Sequence, residues 1–407
     1  MTDLQVIRLL PKKDAPIKAG HPWIFSNAIA DQKVNSSIPK GSLVKILSDS
    51  QEFLGIGMFN PDTSIRVRLL SHSPIQDCGV DFFRTKIDTL NRDRLSFLPA
   101  DTNAYRVVHG DADLLPGLIV DKFNDTIVFQ IHTAGMDKFR NEIVLSLNTI
   151  FSPSAIVERS DIEARKREGI PVLPPVIHSG KVTGPVIFTE SGLTLHADVL
   201  AGQKTGFFLD QRESRKMVRS LAKDKTMLDL FGYTGGFGLA AASGGAKKVI
   251  TVDTSKHCFT MASLNFSANN LSLSDNSDAP FSYVVADVFD FLNSSSASFP
   301  SFDLIVCDPP AFAKTGKNLP QALKTYTSLN KKCLELLHPG GILVTCSCSG
   351  TVSQEDFKNA LKLAAGRARR DVRIIDILGQ PFDHTQKLSF PEGKYLKTFF
   401  LEVIEEL

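Results

Sequence analysis

The stretch TMLDLFGYTGGFGLAAAS, Thr226 to Ser243, decides the fold. It opens as an apolar run holding one acid, Asp229, turns through Gly232, Gly235 and Gly236, and continues as a small-residue helical segment. Glycines at such a turn allow tight reversal and close approach of the backbone to a ligand. The pattern recurs downstream: KKVITVD, FSYVVAD, FDLIVCD and GGILVTCS are short apolar runs with helical segments between or after them. Strands alternating with helices at this spacing predict an α/β fold built on a doubly wound, largely parallel sheet. Ligands of such sheets bind outside the carboxyl ends of the strands. The residues where the strands stop are therefore the candidate site: Asp229, Asp253, Asp287, Asp308 and the thiols Cys346 and Cys348.

The 407 residues exceed the size at which one core stops growing, so two or three domains are expected. Hydrophobic residues at 43%, charged residues at 22% and a net charge of +2 are those of an ordinary globular protein. A balanced total leaves an anionic partner open, because binding depends on how charge is distributed over a face. The start, MTDLQVIRLLPKKDAP, carries Asp3 and no apolar core ending in small residues, and no apolar run approaches spanning length. A cytoplasmic protein with no membrane contact is expected. Six cysteines at 78, 258, 307, 333, 346 and 348 fit a reducing compartment, and C-x-C occurs once without a second pair, so no metal is expected.

Three domains are read along the chain. Residues 1–73 are β-rich, with GSLVKILSDSQEFLGIGMFNPDTSIRVRLL as three strands and a basic bias from Lys12, Lys13, Lys18, Lys40, Lys45, Arg66 and Arg68. On charge alone this is equally a solvated surface or a nucleic-acid face. Trp23, in HPWIF, is read as core. Residues 74–190 form a central α+β domain, with DFFRTKIDTLNRDRLSFL helical and RSDIEARKREG a charged helix with a solvated face. Residues 191–407 carry the doubly wound sheet, with the Ser-rich pieces SLSDNSDAPFS and NSSSASFPS as loops between elements.

Gly236-Phe237-Gly238-Leu239-Ala240-Ala241 formally fits a dinucleotide fingerprint. A dehydrogenase would also need a hydride-handling His or Tyr arrangement, and none is evident. The combination of Asp229 before the glycine turn, Asp253 closing the next strand, Asp287 after the third and DPPAF at 308–312 is more specific. It resembles the class I S-adenosylmethionine-dependent methyltransferases, with a Rossmann-like domain. That resemblance implies S-adenosyl-L-methionine as cofactor. It implies that the turn from Asp229 through Phe231, Gly232 and Gly235 holds the amino-acid part, Asp253 the ribose and Asp287 the adenine side. Helix N-capping is the structural alternative for Asp287.

In DPPAF, Pro309 and Pro310 fix an extended backbone, so Asp308 and the Phe312 ring can be held towards a planar substrate. Alone, that motif suggests methylation of a nitrogen. TCSCSG, Thr345 to Gly350, points elsewhere. Carbon 5 of cytosine is too electron-poor to take a methyl group until a nucleophile adds at carbon 6, and cysteine suits that addition. Cys348 is the expected nucleophile because it lies closer to the crevice; Cys346 is its rival, on the same face if the strand persists. Asp308 would then bond N3 or N4 of the base as charge develops.

HPWIFSNAI, GDADLLPGLIVDKF, RSD with ARKREG, KTGFFLDQRESR, DLFGYTGGF, DPPAF, SCSG and FPEGKYLK occur in the order seen in the bacterial large-subunit ribosomal RNA cytosine-5 methyltransferases of the RlmI type, which the chain resembles along nearly its whole length. This implies an N-terminal PUA domain, a central domain named for an EEHxT motif that is not literally present, and formation of 5-methylcytosine in 23S RNA. In KTGFFLDQR, Gln211 becomes a candidate cofactor contact, and Lys204 and Arg212 candidate substrate contacts, although Arg212 could equally pair with an acid. Alternatives are a ribosomal RNA guanine methyltransferase acting at N7 or N2 through DPPAF, and a non-catalytic RNA-binding factor. A homodimer stays open, as does the base that removes the carbon 5 proton.

Overall fold

The structure, a computed structural model, describes residues 4–30, 37–295, 301–313 and 316–407. Asp3 and most of the Ser-rich stretch NSSSASFPS lie outside them. The chain forms two compact units: residues 1–190, 197–209 and 382–393 make the first, and residues 191–196, 210–381 and 394–407 the second. Among the described residues, no helix is long and apolar enough to cross a membrane.

In the first unit, β1 (Gln5–Arg8), β2 (Trp23–Phe25), β3 (Leu43–Leu47), β4 (Phe53–Phe59) and β5 (Ile65–Ser71) form a sheet in the order β1-β3-β4-β5-β2. The three strands expected from residues 41–70 are β3, β4 and β5. Alternation along β1, β3 and β5 turns Ile7, Val44, Ile46, Val67 and Leu69 into one apolar cluster. A second sheet follows, in the order β10-β9-β8-β7-β6, from β6 (Ala104–His109), β7 (Leu118–Phe123), β8 (Thr126–Ile131), β9 (Ala155–Glu158) and β10 (Val176–Gly180). Helices α1 (Val80–Phe97) and α2 (Arg140–Phe151) supply Phe83, Ile87, Ile143 and Leu147 to its core.

The acids of GDADLLPG tie this unit together. Asp111 Oδ1 accepts from Trp23 Nε1 at 2.7 Å and from Arg68 Nη1 at 3.0 Å. Asp113 takes Arg94 Nη2 at 2.7 Å and Thr385 Oγ1 at 2.7 Å. Phe390, from the returning segment 382–393, packs edge-on against the Trp23 ring at 4.8 Å. The indole is thus a half-buried structural joint and not, as expected, part of the apolar core. The solvated-helix expectation for RSDIEARKREG is corrected: only Ala164–Arg167, α3, is helical. Arg159 and Arg165 are buried, Arg159 donating to the carbonyls of Val199 (3.2 Å) and Gly202 (2.8 Å) and Arg165 to that of Ile131 (2.8 Å). Guanidinium groups go inside here because backbone acceptors meet them together with carboxylates, Asp161 for Arg159 and Asp137 for Arg165.

A ribbon, β11 (Val186–Glu190) and β12 (Leu193–Ala197), lies where the chain leaves the first unit. The second unit is a seven-stranded sheet, order β15-β14-β13-β16-β17-β19-β18. Its strands are β13 (Thr226–Leu230), β14 (Lys248–Asp253), β15 (Phe281–Val285), β16 (Phe302–Cys307), β17 (Leu337–Ser347), β18 (Arg370–Leu378) and β19 (Lys397–Glu406). The first five run parallel, as the sequence predicts; β19 inserts antiparallel between β17 and β18. Helices α4 (Arg212–Leu221), α5 (Gly236–Ser243), α6 (Lys256–Ala268), α7 (Val288–Ser295), α8 (Leu319–Glu335) and α9 (Gln354–Ala368) complete the unit. Strand order reverses at β13, with β14 on one side and β16 on the other, which places the topological switch point at Asp229.

Candidate active site

The turn after β13 is held by contacts that leave no room for side chains. A Cβ on Gly232 would lie 2.2 Å from Thr251 Cγ2, and one on Gly238 2.7 Å from Thr251 Oγ1. Phe231 and Tyr233 adopt φ of 61° and 48°, and Gly235 φ of 73°. Left-handed backbone at two aromatic residues is strain of the kind found at ligand clamps. Asp229 is fully buried, and its Oδ2 accepts from the Gly238 N–H at 3.0 Å. Burial pushes its carboxyl up to about 8, with Asp308 and Asp253 adding to the rise and the Gly238 bond opposing it.

Asp253, ending β14, accepts from the Tyr233 N–H at 3.0 Å and the Ser255 N–H at 3.2 Å, so it fixes the turn from the neighbouring strand. Asp287 is exposed beyond the end of β15, and its Oδ1 accepts from the N–H groups of Phe289 (2.8 Å) and Asp290 (3.1 Å). This is an N-cap for α7, the alternative the sequence allowed. Gln211 Nε2 donates to Asp308 Oδ2 at 3.0 Å, so two residues 97 apart in sequence meet at the switch point. The Thr234 hydroxyl is buried with no hydrogen-bond partner among the described residues, an orphan polar atom on the glycine turn. The close-packed turn, this orphan and the acids at neighbouring strand ends fit an S-adenosylmethionine site.

The two thiols are separated by the end of β17. Cys346 is fully buried, its sulfur 3.5 Å from Thr398 Oγ1, and burial, with the Asp308 charge adding, raises its pKa well above the usual thiol range. Strand pairing stops at Ser347, opposite Lys397. The strand therefore does not persist to Cys348, which is half-buried, with its sulfur 4.0 Å from the Pro309 carbonyl oxygen. Pro309 is buried, and the Phe312 ring lies 4.9 Å from that of Tyr326, whose hydroxyl oxygen accepts from Ser347 Oγ at 3.1 Å. Asp308, Cys348, Pro309 and Phe312 thus converge where β16 and β17 end.

The other expected substrate residues are placed differently. Arg212 is 1% exposed and pairs with Glu213 at 3.4 Å. Lys204 belongs to the first unit, its ammonium 4.2 Å from the Phe208 ring centre. Sequence reasoning missed Thr251, which fills the space the glycines leave, Tyr326 and Lys397. Lys397 is 3% exposed, and its Nζ donates to the carbonyls of Ser349 (2.7 Å) and Val352 (2.6 Å). A lysine opening the apolar strand KTFFLEV was the available signal.

This geometry defines a class I methyltransferase, and residues 178–383 match the S-adenosylmethionine-dependent methyltransferase family; residues 7–72 match the PUA-like domain family. The chain belongs to the family of ribosomal RNA large subunit methyltransferase I. It is 36% identical to that enzyme of Shewanella frigidimarina and 37% identical to that of Aeromonas salmonicida, in each case over 96% of this chain and 97% of the relative. A solved S-adenosylmethionine-dependent methyltransferase from Streptococcus mutans shares the fold at a TM-score of 0.83 and 24% identity, covering 98% of this chain and 100% of its own.

Proposed function

We propose that the protein methylates carbon 5 of a cytosine in 23S ribosomal RNA, with Cys348 as the covalent nucleophile. One observation carries the choice of thiol: Cys346 is sealed inside the sheet, whereas Cys348 stands past the strand end beside DPPAF. The relatives' name, ribosomal RNA large subunit methyltransferase, supports the substrate class.

S-adenosylmethionine, when bound, supplies a methyl carbon made electrophilic by its sulfonium; Asp229, Gly232, Gly235 and Asp253 would hold it. Cys348 Sγ, as thiolate, forms a bond to carbon 6, and the carbon 5–carbon 6 electron pair becomes available at carbon 5. Asp308, oriented by Gln211, accepts from the N4 amino group and shares a proton with N3, so that the electron density the addition pushes into the ring is met by that proton. Once carbon 5 carries the methyl group, loss of its proton to a base returns the electron pair, breaks the Sγ–carbon 6 bond and frees the thiolate. Pro309 and Phe312 hold the base in plane. Lys204 meets the RNA, and residues 1–73 and 74–190 supply further contact. Arg212, buried and paired, braces the segment that carries Gln211. Asp287 serves the cofactor pocket as the cap of α7.

The test is methylation of 23S RNA with labelled S-adenosylmethionine, followed by mass spectrometry of the nucleosides. Expected is 5-methylcytosine, absent with Cys348→Ala. A methylated guanosine formed equally by wild type and Cys348→Ala would instead establish nitrogen methylation through DPPAF without a covalent step.

A further inference from the structure

Lys397 is a buried ammonium with no carboxylate partner among the described residues. Burying an unpaired charge is costly, and two carbonyl acceptors satisfy only two of its three N–H donors. Both carbonyls, Ser349 and Val352, lie in the short loop that begins at Cys348 and ends at Ser353, the N-cap of α9. The base of the lysine is fixed by β19, paired opposite Ser347, one residue before the thiol. The side chain therefore clamps from one side the loop that presents the sulfur. Charged and titratable groups around this pair are Asp308, Tyr326 and Cys346 near the sulfur, and Lys394 and Asp356 near the ammonium. Burial pulls the Lys397 amine down to about 8, and a thiolate at Cys348 pulls it back up, so ionising the thiol stabilises the protonated lysine.

We infer that Lys397 is the positioning residue of the nucleophile: its ammonium braces the Cys348–Ser353 loop on two carbonyls and supplies the positive charge beside which the Cys348 thiolate forms. In that ionisation the S–H bond breaks, its proton passes to water and the electron pair stays on sulfur. The inference rests on the assignment of Cys348 as nucleophile and explains why that thiol, with no histidine assigned as its base, reacts at neutral pH.

The experiment measures alkylation of Cys348 by iodoacetamide at pH 7 in the full chain without RNA, by mass spectrometry of the peptide, for wild type, Lys397→Met and Lys397→Arg. Expected is a rate in wild type above that of free cysteine, a fall of about tenfold or more in Lys397→Met, and retention within about threefold in Lys397→Arg. In methyl transfer kcat should follow the alkylation rate while KM for RNA stays unchanged. Alkylation of Lys397→Met at the wild-type rate would overturn the inference. Where that variant does not fold, a wild-type thiol slower than free cysteine overturns it equally. Full methyl transfer by Cys348→Ala would instead sink the nucleophile assignment, whatever Lys397 does to the thiol.

Discussion

Cys346 and Cys348 stand on opposite sides of a strand end: the Cys346 sulfur is buried 3.5 Å from Thr398 Oγ1, while that of Cys348 lies beyond the last paired residue, 4.0 Å from the Pro309 oxygen. Their substitution should therefore read out differently. Cys346→Ala leaves a small void and should cost roughly 1–2 kcal/mol of stability while single-turnover methyl transfer stays within about threefold. Thermal unfolding and quenched-flow transfer on the same preparation check this. Loss of transfer in Cys346→Ala, with Cys348→Ala active, would reverse the two roles.

Asp229 makes stability depend on pH in an unusual direction. Its folded-state pKa, raised by burial to about 8, lies far above the ordinary 3.8. Between those values the folded chain holds a proton that the unfolded chain gives up, so stability falls as pH rises from about 4 to about 8. Asp229→Asn keeps an oxygen for the Gly238 N–H and has no proton to lose. Its melting temperature without cofactor should vary less across this window, with a gap on the order of 10 °C developing by pH 8. Parallel curves for the two proteins would show that Asp229 is ionised throughout.

Gly232 is constrained by space. Its Cβ would meet Thr251 Cγ2 at 2.2 Å and Asp229 Oδ2 at 2.9 Å, so Gly232→Ala must push the turn away from the sheet. Affinity for S-adenosylhomocysteine, measured by calorimetry, should fall by about tenfold or more. Thr251→Ser in the same chain removes the offending methyl and should restore part of the loss. Unchanged affinity in Gly232→Ala would remove the turn from the cofactor site.

Trp23 tests whether the sole indole reads RNA. Trp23→Phe keeps the ring against Phe390 and deletes the 2.7 Å bond to Asp111, leaving that carboxylate to Arg68. The expected cost is about 1–3 kcal/mol in chemical denaturation, with KM for RNA unchanged. A raised KM with normal stability would make the indole a base-stacking surface.

The parallel sheet was legible because strands buried on both faces read as continuous apolar runs, and four of them stop at or just before the candidate site residues. Asp229, Asp253, Asp308 and Cys348 could be named as candidates from those endings alone. Arg159 and Arg165 could not: their burial depends on carbonyls of Val199, Gly202 and Ile131, which lie far away in sequence. Lys397 was hidden likewise, because its meaning comes from an antiparallel partner in β17. Asp287 was legible as a strand-end acid and as a cap, and only the Phe289 and Asp290 N–H groups show which bonds its side chain makes.

Residues 382–393 belong to the first unit although β18 and β19, which flank them, belong to the second. Thr385 and Phe390 complete the contacts of Asp113 and Trp23, so the first unit waits, during synthesis, for a segment translated after most of the second unit. No contiguous gene fragment encodes either unit. A ribosome releasing a chain cut short before residue 382 would release a first unit without its closing strap and a second without β19, so one premature stop leaves both units unfinished.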